Sequence, residues 1–313
     1  MEIMKYIVTG GAGFIGSNLV DQLIQNGNEV IVIDDFSEGK EENLKQHDGN
    51  ELLTVVNRSV ESFQPDNMTE EDAEIFSGVD TVFHLAAKAR VQPSIENPEL
   101  FHEANVTGTF NMLRCAQISG VRRFVFSSSS SVYGDTDILP TPERTEKNPI
   151  SPYAVNKLIG EQYCATFAKV YEIQTVCLRY FNVYGERQSL TGGYRLVMGI
   201  FAQNRLEGKP LTINGDGEQR RDFTYVGDVV RANMLASSSS QVGHGECINI
   251  GNGDNRSVNE LAKLIGGETE HGPAVLEPKE TLADNKIAQA LLNWNPSTSL
   301  EEWVPGWLAK LGL

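Results

Sequence analysis

Positive charge is what this 313-residue chain is short of: 26 Lys and Arg stand against 42 Asp and Glu, a formal net charge of −16. A protein that grips nucleic acid needs a basic face, so this balance argues against that class. Long apolar runs are missing too. None approaches the roughly 20 residues of a membrane-spanning helix, and residues 1–16 carry no basic stretch followed by an apolar core and a cleavage site, so neither membrane insertion nor secretion is expected. Cysteine is scarce: Cys115, Cys164, Cys177 and Cys247 lie far apart with no C-x-x-C pair. That disfavours a zinc site or a disulfide framework and favours a reducing cytoplasm. The histidines show no ligand spacing, so no metal is expected. No internal repeat is visible.

What is present suffices for a folded core: 40% of the residues are hydrophobic, and the length fits one large domain or two closely packed ones. Short β-branched runs at 4–9, 29–34, 52–56, 81–85, 123–127 and 175–180 alternate with amphipathic stretches at 14–25, 41–45, 70–76, 100–119 and 153–170. This rhythm predicts an α/β fold, a Rossmann-like doubly wound parallel sheet. After about residue 180 glycine and proline become frequent and the elements shorten. We therefore expect a nucleotide-binding domain over 1–180, with 222–250 returning to it, and a smaller mixed α/β substrate domain over 181–313.

The first turn reads V-T-G-G-A-G-F-I-G, placing Gly10, Gly13 and Gly16 around Phe14 and Ile15. Backbone N–H groups at a helix N-terminus can cradle a pyrophosphate there, provided no β-carbon obstructs it. The next strand ends at Asp34, eighteen residues past Gly16, followed by Asp35. A carboxylate at this point accepts hydrogen bonds from ribose hydroxyls and repels a 2′-phosphate, which selects NAD over NADP.

Tyr153 and Lys157 stand four apart, on one face if the segment is helical, just after Ser151-Pro152. The strand before them runs into the serines 127–131, at the carboxyl end of a parallel strand, where open α/β sheets bind ligands. A tyrosine with an unperturbed pKa near ~10 is a poor base at neutrality. A nearby ammonium and a positive nicotinamide ring favour its phenolate. Removing a hydroxyl proton while a hydride leaves the same carbon is oxidation by NAD.

With these residues in view, the chain resembles the extended short-chain dehydrogenase/reductase family, and within it nucleotide-sugar epimerases of the UDP-glucose 4-epimerase type. The likeness runs almost end to end, through H-L-A-A at 84–87, N-V-T-G-T at 105–109, S-S-V-Y-G at 130–134, S-P-Y-A-V-N-K at 151–157, R-Y-F-N-V-Y-G at 179–185 and R-R-D-F-T-Y-V at 220–226. It implies a tightly held NAD, Ser129, Tyr153 and Lys157 as catalytic residues, and a transient 4-keto sugar that swings over before hydride returns. It also implies that Ser59, Val60, Leu85, Ala86, Ala87, Asn105, Ser127, Tyr180 and Val183 lie along the cofactor. For the substrate it implies Ser129 and Ser130 at the sugar, Asn182 and Arg221 at the diphosphate with Arg187 adding charge, and Leu196, Val197, Thr212, Asn214 and Phe223 around the nucleoside. Thr281 would gate the sugar pocket, and a small residue there resembles epimerases that admit N-acetylated sugars. A cytoplasmic homodimer, packed through 100–119 and 153–170, completes the implication.

The 4,6-dehydratases that the chain resembles carry Asp-Glu before Val-Tyr-Gly, and the decarboxylases keep a Glu at the second position. Here Ser130 and Ser131 occupy those positions, and serine cannot serve as that acid–base pair. Epimerase is therefore the expected activity, with a dehydratase or 4-ketoreductase and a non-catalytic NAD-binding scaffold as the other readings. Two departures stand out. Ser59 replaces an Asp that often contacts adenine, and Ala274 falls where a second phosphate-binding Arg is usual, leaving Lys279 as a substitute. Elsewhere, His84 reads as packed or backbone-bonded, Glu41-Glu42 and residues 70–72 as solvated helix starts, and Trp303 and Trp307 as packing in a helix interrupted by Pro305.

Overall fold

The computed structural model describes residues 3–191, 195–275 and 277–313. In chain order the first half contains β1 (Lys5–Thr9), α1 (Phe14–Gln25), β2 (Glu29–Asp34), β3 (Leu53–Asn57), α2 (Glu70–Phe76), β4 (Thr81–His84), α3 (Val91–Glu96), α4 (Pro98–His102), α5 (Gly108–Ile118), β5 (Arg123–Ser129), α6 (Pro152–Tyr171) and β6 (Gln174–Tyr180). The second half contains β7 (Val183–Tyr184), α7 (Val197–Leu206), β8 (Leu211–Asn214), β9 (Arg220–Asp222), β10 (Thr224–Tyr225), α8 (Val226–Ser238), β11 (His244–Ile250), β12 (Asn255–Ser257), α9 (Val258–Ile265), β13 (Thr269–Gly272), α10 (Lys286–Leu292) and α11 (Leu300–Leu311).

Seven strands form one sheet in the order β11-β6-β5-β4-β1-β2-β3, every pair parallel. Strands buried on both faces read as continuous apolar runs rather than alternating ones; in β4 and in β5 up to Ser128 no residue is more than marginally exposed. Leu19, Val20 and Leu23 of α1 and Val229, Ala232 and Ala236 of α8 cover one face of the sheet. Met112 and Leu113 of α5 and Cys164 and Phe167 of α6 cover the other. A separate, smaller core joins α7, α9 and α11 through Phe201, Leu261 and Val304. The sheet winds outward in both directions from β1 and β4, which places the topological switch point between them. The carboxyl ends of the strands at that point form the floor of the site.

Four local expectations are corrected. Residues 41–45 form two 3₁₀ turns, Glu41–Asn43 and Lys45–His47, rather than one helix. The stretch 100–119 is α4, a π-helical turn at Glu103–Thr107 and then α5. In that turn Asn105 bonds the Lys88 backbone, and just beyond it Thr109 of α5 bonds both His84 and the Asn105 carbonyl. Asp72 is buried rather than solvated, because it closes a capping box with Thr69 and pairs with Arg58. Pro305 does not interrupt its helix. A capping box between Ser299 and Glu302 starts α11, and Leu300, Val304 and Leu308, all buried, keep it docked; that packing outweighs the hydrogen bond that proline forfeits.

Candidate functional site

A cleft of about 1360 Å³ opens over the carboxyl ends of the strands. It is larger than a single small-ligand pocket of roughly 300–1,000 Å³, and its lining falls into two halves.

The first half starts at the turn between β1 and α1. Gly10 has φ of 68°, and a β-carbon there would fall 2.7 Å from the Ala86 nitrogen. Gly13 is the N-cap of α1, with no side-chain cap and no acidic residue in the first turn. The N–H groups of that turn are thus left to an anion, and the residues fit a pyrophosphate. Asp34, at the end of β2, accepts from the backbone N–H groups of Ala12 and Phe36, each at 2.9 Å. Burial pushes its carboxyl above the ordinary value, while those two bonds oppose the shift. Gly10, Gly13, Phe14, Ile15, Gly16, Asp34, Asp35, Ser59, Val60, Leu85, Ala86 and Ala87 all line this half.

Asn105 is not among the residues that line the cleft. It is buried one layer back, with its Oδ1 accepting from Lys88 N at 2.8 Å and its Nδ2 donating to Lys88 O at 2.9 Å. Lys88 is the residue thereby held at the cleft. Its Nζ donates to Ser37 Oγ at 2.7 Å, beside the Asp34–Asp35 carboxylates. Its only signal in the sequence is that it follows H-L-A-A directly.

The reacting groups sit between the halves. Ser151 caps α6 by accepting from Ala154 N at 3.2 Å, and Pro152 occupies the first turn, as the N-terminal preferences of helices favour. Tyr153 donates its backbone N–H to Ser94 Oγ at 3.2 Å. Gly160 lets α6 lie directly on Phe126 of β5, where a β-carbon would fall 2.4 Å from the ring's Cζ. That close crossing carries Lys157 to the strand, and its Nζ donates to the Ser127 carbonyl at 2.7 Å. Burial lowers the Lys157 ammonium to about 8, with Glu161 one turn further on opposing. Burial raises the Tyr153 phenol above its ordinary value, and a hydrogen bond with Ser129 pulls it down. The phenol is therefore neutral until positive charge approaches it. Ser127, Ser129, Ser130, Tyr180 and Val183 line the cleft beside it. His84 lies beneath, buried between Thr9 Oγ1 at 2.8 Å and Thr109 Oγ1 at 3.0 Å; burial lowers it to about 3, so it is neutral. Its partners are side chains, and it does not reach the cleft.

The second half is built by the smaller core. Asn182, Arg187, Leu196, Val197, Thr212, Asn214, Arg221, Phe223 and Thr281 all line it. Arg221 pairs with Glu277 at 2.5 Å, and Thr281 Oγ1 accepts from Asp222 N at 3.2 Å. Asp222 is fully buried and takes N–H groups from Asn252, Gly253 and Ala283 at 2.5, 3.0 and 2.9 Å; burial raises it to about 6. It ties three segments together behind Arg221 and Thr281. Lys279 is exposed and donates its backbone N–H to Asp135 at 3.1 Å. Glu277 and Gln188, both in the lining, were missed in the sequence, where nothing marks them.

The profile of the NAD-dependent epimerase/dehydratase family matches residues 6–251. A putative UDP-glucose 4-epimerase of Methanocaldococcus jannaschii is 38% identical over 306 residues, covering 95% of both chains. The structure of the Thermotoga maritima UDP-glucose 4-epimerase with UDP-glucose superposes with a TM-score of 0.90 at 38% identity, over 99% of each chain. That of a UDP-glucuronic acid 4-epimerase from Bacillus cereus, in complex with UDP-glucuronic acid and NAD, gives 0.89 at 32% identity, over 98% of this chain and all of that one. With a doubly wound sheet, an open glycine turn at its switch point and likeness of this extent, the chain belongs to the NAD-dependent epimerase/dehydratase family.

Proposed function

We propose that this protein is an NAD-dependent UDP-sugar 4-epimerase acting on UDP-hexoses or UDP-N-acetylhexosamines. The observation that carries this reading is the joint placement of Ser129, Tyr153 and Lys157 in the cleft, with serines and no carboxylate in the adjoining turn. The carboxylates that line the described cleft are Asp34, Asp35, Glu38, Glu42, Glu61 and Glu277. Asp34 ends β2 and Asp35 follows it, three strands away from β5 in the sheet, or about 14 Å at the usual strand spacing. Glu277 is engaged by Arg221. Elimination or decarboxylation needs an acid–base pair at the sugar, whereas epimerisation needs one group that takes a proton and returns it.

When bound, NAD supplies a reversible hydride acceptor for the sugar carbon. Tyr153 takes the proton of the sugar 4-hydroxyl and later gives it back. Ser129, in hydrogen-bond reach of the phenol, holds the same oxygen. Lys157, charged at neutral pH, lowers the cost of the phenolate. Arg221 holds the diphosphate after Glu277 yields it, and Thr281 leaves space at the sugar for an N-acetyl group. We further propose a cytoplasmic homodimer packed through the outer faces of α5 and α6, where Ile118, Val155, Val170 and Tyr171 are all at least 40% exposed.

The test is to incubate the purified protein with UDP-glucose or UDP-N-acetylglucosamine and catalytic NAD, following the anomeric protons by NMR. C4 epimers without net NADH are expected. Loss of water would establish a dehydratase instead, and NADH accumulating together with a released 4-keto sugar would establish a ketoreductase running in reverse.

A further inference from the structure

The turn from Gly185 to Ser189 joins the two halves of the cleft, and it is pinned on both sides. Asn18 of α1 donates from Nδ2 to the Glu186 carbonyl at 3.0 Å and to the Phe14 carbonyl at 2.8 Å. The Glu186 carboxylate accepts from Tyr225 OH and Trp303 Nε1, both at 2.9 Å. Arg187 pairs with Asp21, also on α1. On the far side the Ser189 carbonyl lies against α7, so close that a β-carbon on Gly199 would fall 2.2 Å from it. Arg187 itself adopts φ of 65°, a conformation that a side chain-bearing residue adopts only where its surroundings enforce it.

This pinned turn presents Gln188 to the cleft. Gln188 is 7% exposed, lines the cavity, and has no hydrogen-bond partner among the described residues at either Nε2 or Oε1. Arg187 Nη1, adjacent in sequence, is buried and without a partner among the described residues, although the other end of its guanidinium is held by Asp21. A buried carboxamide with both ends unpaired is costly, and native structures keep few of them. Leucine has nearly the same size and carries no such penalty, so packing alone does not account for a glutamine here. An amide held rigidly with donor and acceptor open is suited to a ligand that arrives later.

The position indicates which ligand group. The Asn18 bonds set the turn beside Phe14, in the first turn of α1, whose N-terminus is open and free of acidic residues. We propose that Gln188 is a cofactor-binding residue that donates its Nε2–H to a pyrophosphate oxygen of the dinucleotide. α1 approaches the pyrophosphate through its backbone, and this turn supplies a side chain from the opposite side. The inference goes beyond the epimerase reading, because it concerns how NAD is held and not which sugar reacts. A nucleotide sugar also carries a diphosphate, so the test separates the two anions.

Gln188→Leu and Gln188→Glu are compared with the wild type after co-purifying nucleotide has been removed. NADH binding is followed by fluorescence titration, UDP binding by calorimetry, and stability by thermal melting without ligand. Gln188→Leu is expected to melt no lower than the wild type, since no bond within the protein is lost. Its NADH dissociation constant should rise about tenfold or more, the loss of one hydrogen bond to a charged group, while that for UDP stays within about twofold. Gln188→Glu, which places a negative charge against the phosphate, should lose NADH affinity further. An NADH affinity of Gln188→Leu within twofold of the wild type overturns the proposal, and so does a loss of UDP affinity as large as the loss for NADH. Neither readout involves sugar turnover, so a failure of the epimerase reading in the anomeric-proton assay is a separate result.

Discussion

Gly160 of α6 faces Phe126 of β5 at a distance that leaves no room for a methyl group: a β-carbon would stand 2.4 Å from the ring's Cζ. The contact fixes how far Lys157 and Tyr153, on the same helix, stand from the serines that end the strand. Gly160→Ala is expected to destabilise the protein by about 1–3 kcal/mol, the usual cost of overpacking, and to lower kcat by moving the helix outward. Phe126→Leu in the same chain should restore much of both. Urea unfolding and turnover of the two single variants and the double variant form the cycle; purely additive losses would show that the two residues do not meet.

Tyr153→Phe should lose about 10²–10⁴ in kcat, the range of a positioned acid–base group, with NADH and UDP affinities within about twofold of the wild type. The Lys157 ammonium, lowered to about 8 by burial, should titrate near that pH in the cofactor-free protein. NMR of ¹³Cε-labelled lysine follows it, and Lys157→Met identifies the signal. A midpoint near 10 would contradict the buried position at Ser127.

Arg221→Met should weaken UDP binding roughly 10- to 100-fold, the loss of a charge-assisted contact, and leave NADH binding alone. Arg221→Lys should recover only part of it, because a point charge does not reproduce a guanidinium fork. Calorimetry with each nucleotide reads both effects. Equal losses for UDP and NADH would remove Arg221 from the substrate half.

His84 gives stability a pH dependence of known sign. Burial lowers it to about 3 in the folded chain, against roughly 6.5 when unfolded. The unfolded chain therefore binds the extra proton below that value, and stability falls as the pH drops. The contribution is about 1.4 kcal/mol per pH unit from roughly 6 down to 4. Gln has no proton to gain there, so unfolding free energies of His84→Gln should lack this slope. Parallel pH profiles for the two proteins would show that His84 is charged in the fold.

The nucleotide half was legible because its chemistry is local. Gly10, Gly13 and Gly16 share one turn, Asp34 ends the next strand, and the i,i+4 spacing of Tyr153 and Lys157 survives any detail of packing. Asn105 was placed at the cleft because sequence shows which residues are near a site but not which way an amide faces; the π-helical turn directs it to the Lys88 backbone. Lys88 and Gln188 were missed for the complementary reason. One is defined by the loop that Asn105 holds, the other by bonds it lacks, and neither leaves a pattern in the chain. At Pro305 local propensity gave way to tertiary packing, since Leu300, Val304 and Leu308 are buried in the small core on one face of α11.

The residues that close the two cores come late in the chain. Trp294 is fully buried beside α1 and α8, donating from Nε1 to the Asp228 carbonyl at 2.9 Å, and Val304 and Leu308 complete the smaller core. Proteins are made from the amino end, so the nucleotide-binding turn and six strands of the sheet emerge long before either core can be sealed. One short late segment thus serves two cores at once, the α1/α8 face of the sheet and the smaller lobe. A chain stopped before Trp294 is expected to be protease-sensitive in its early strands and its small lobe alike.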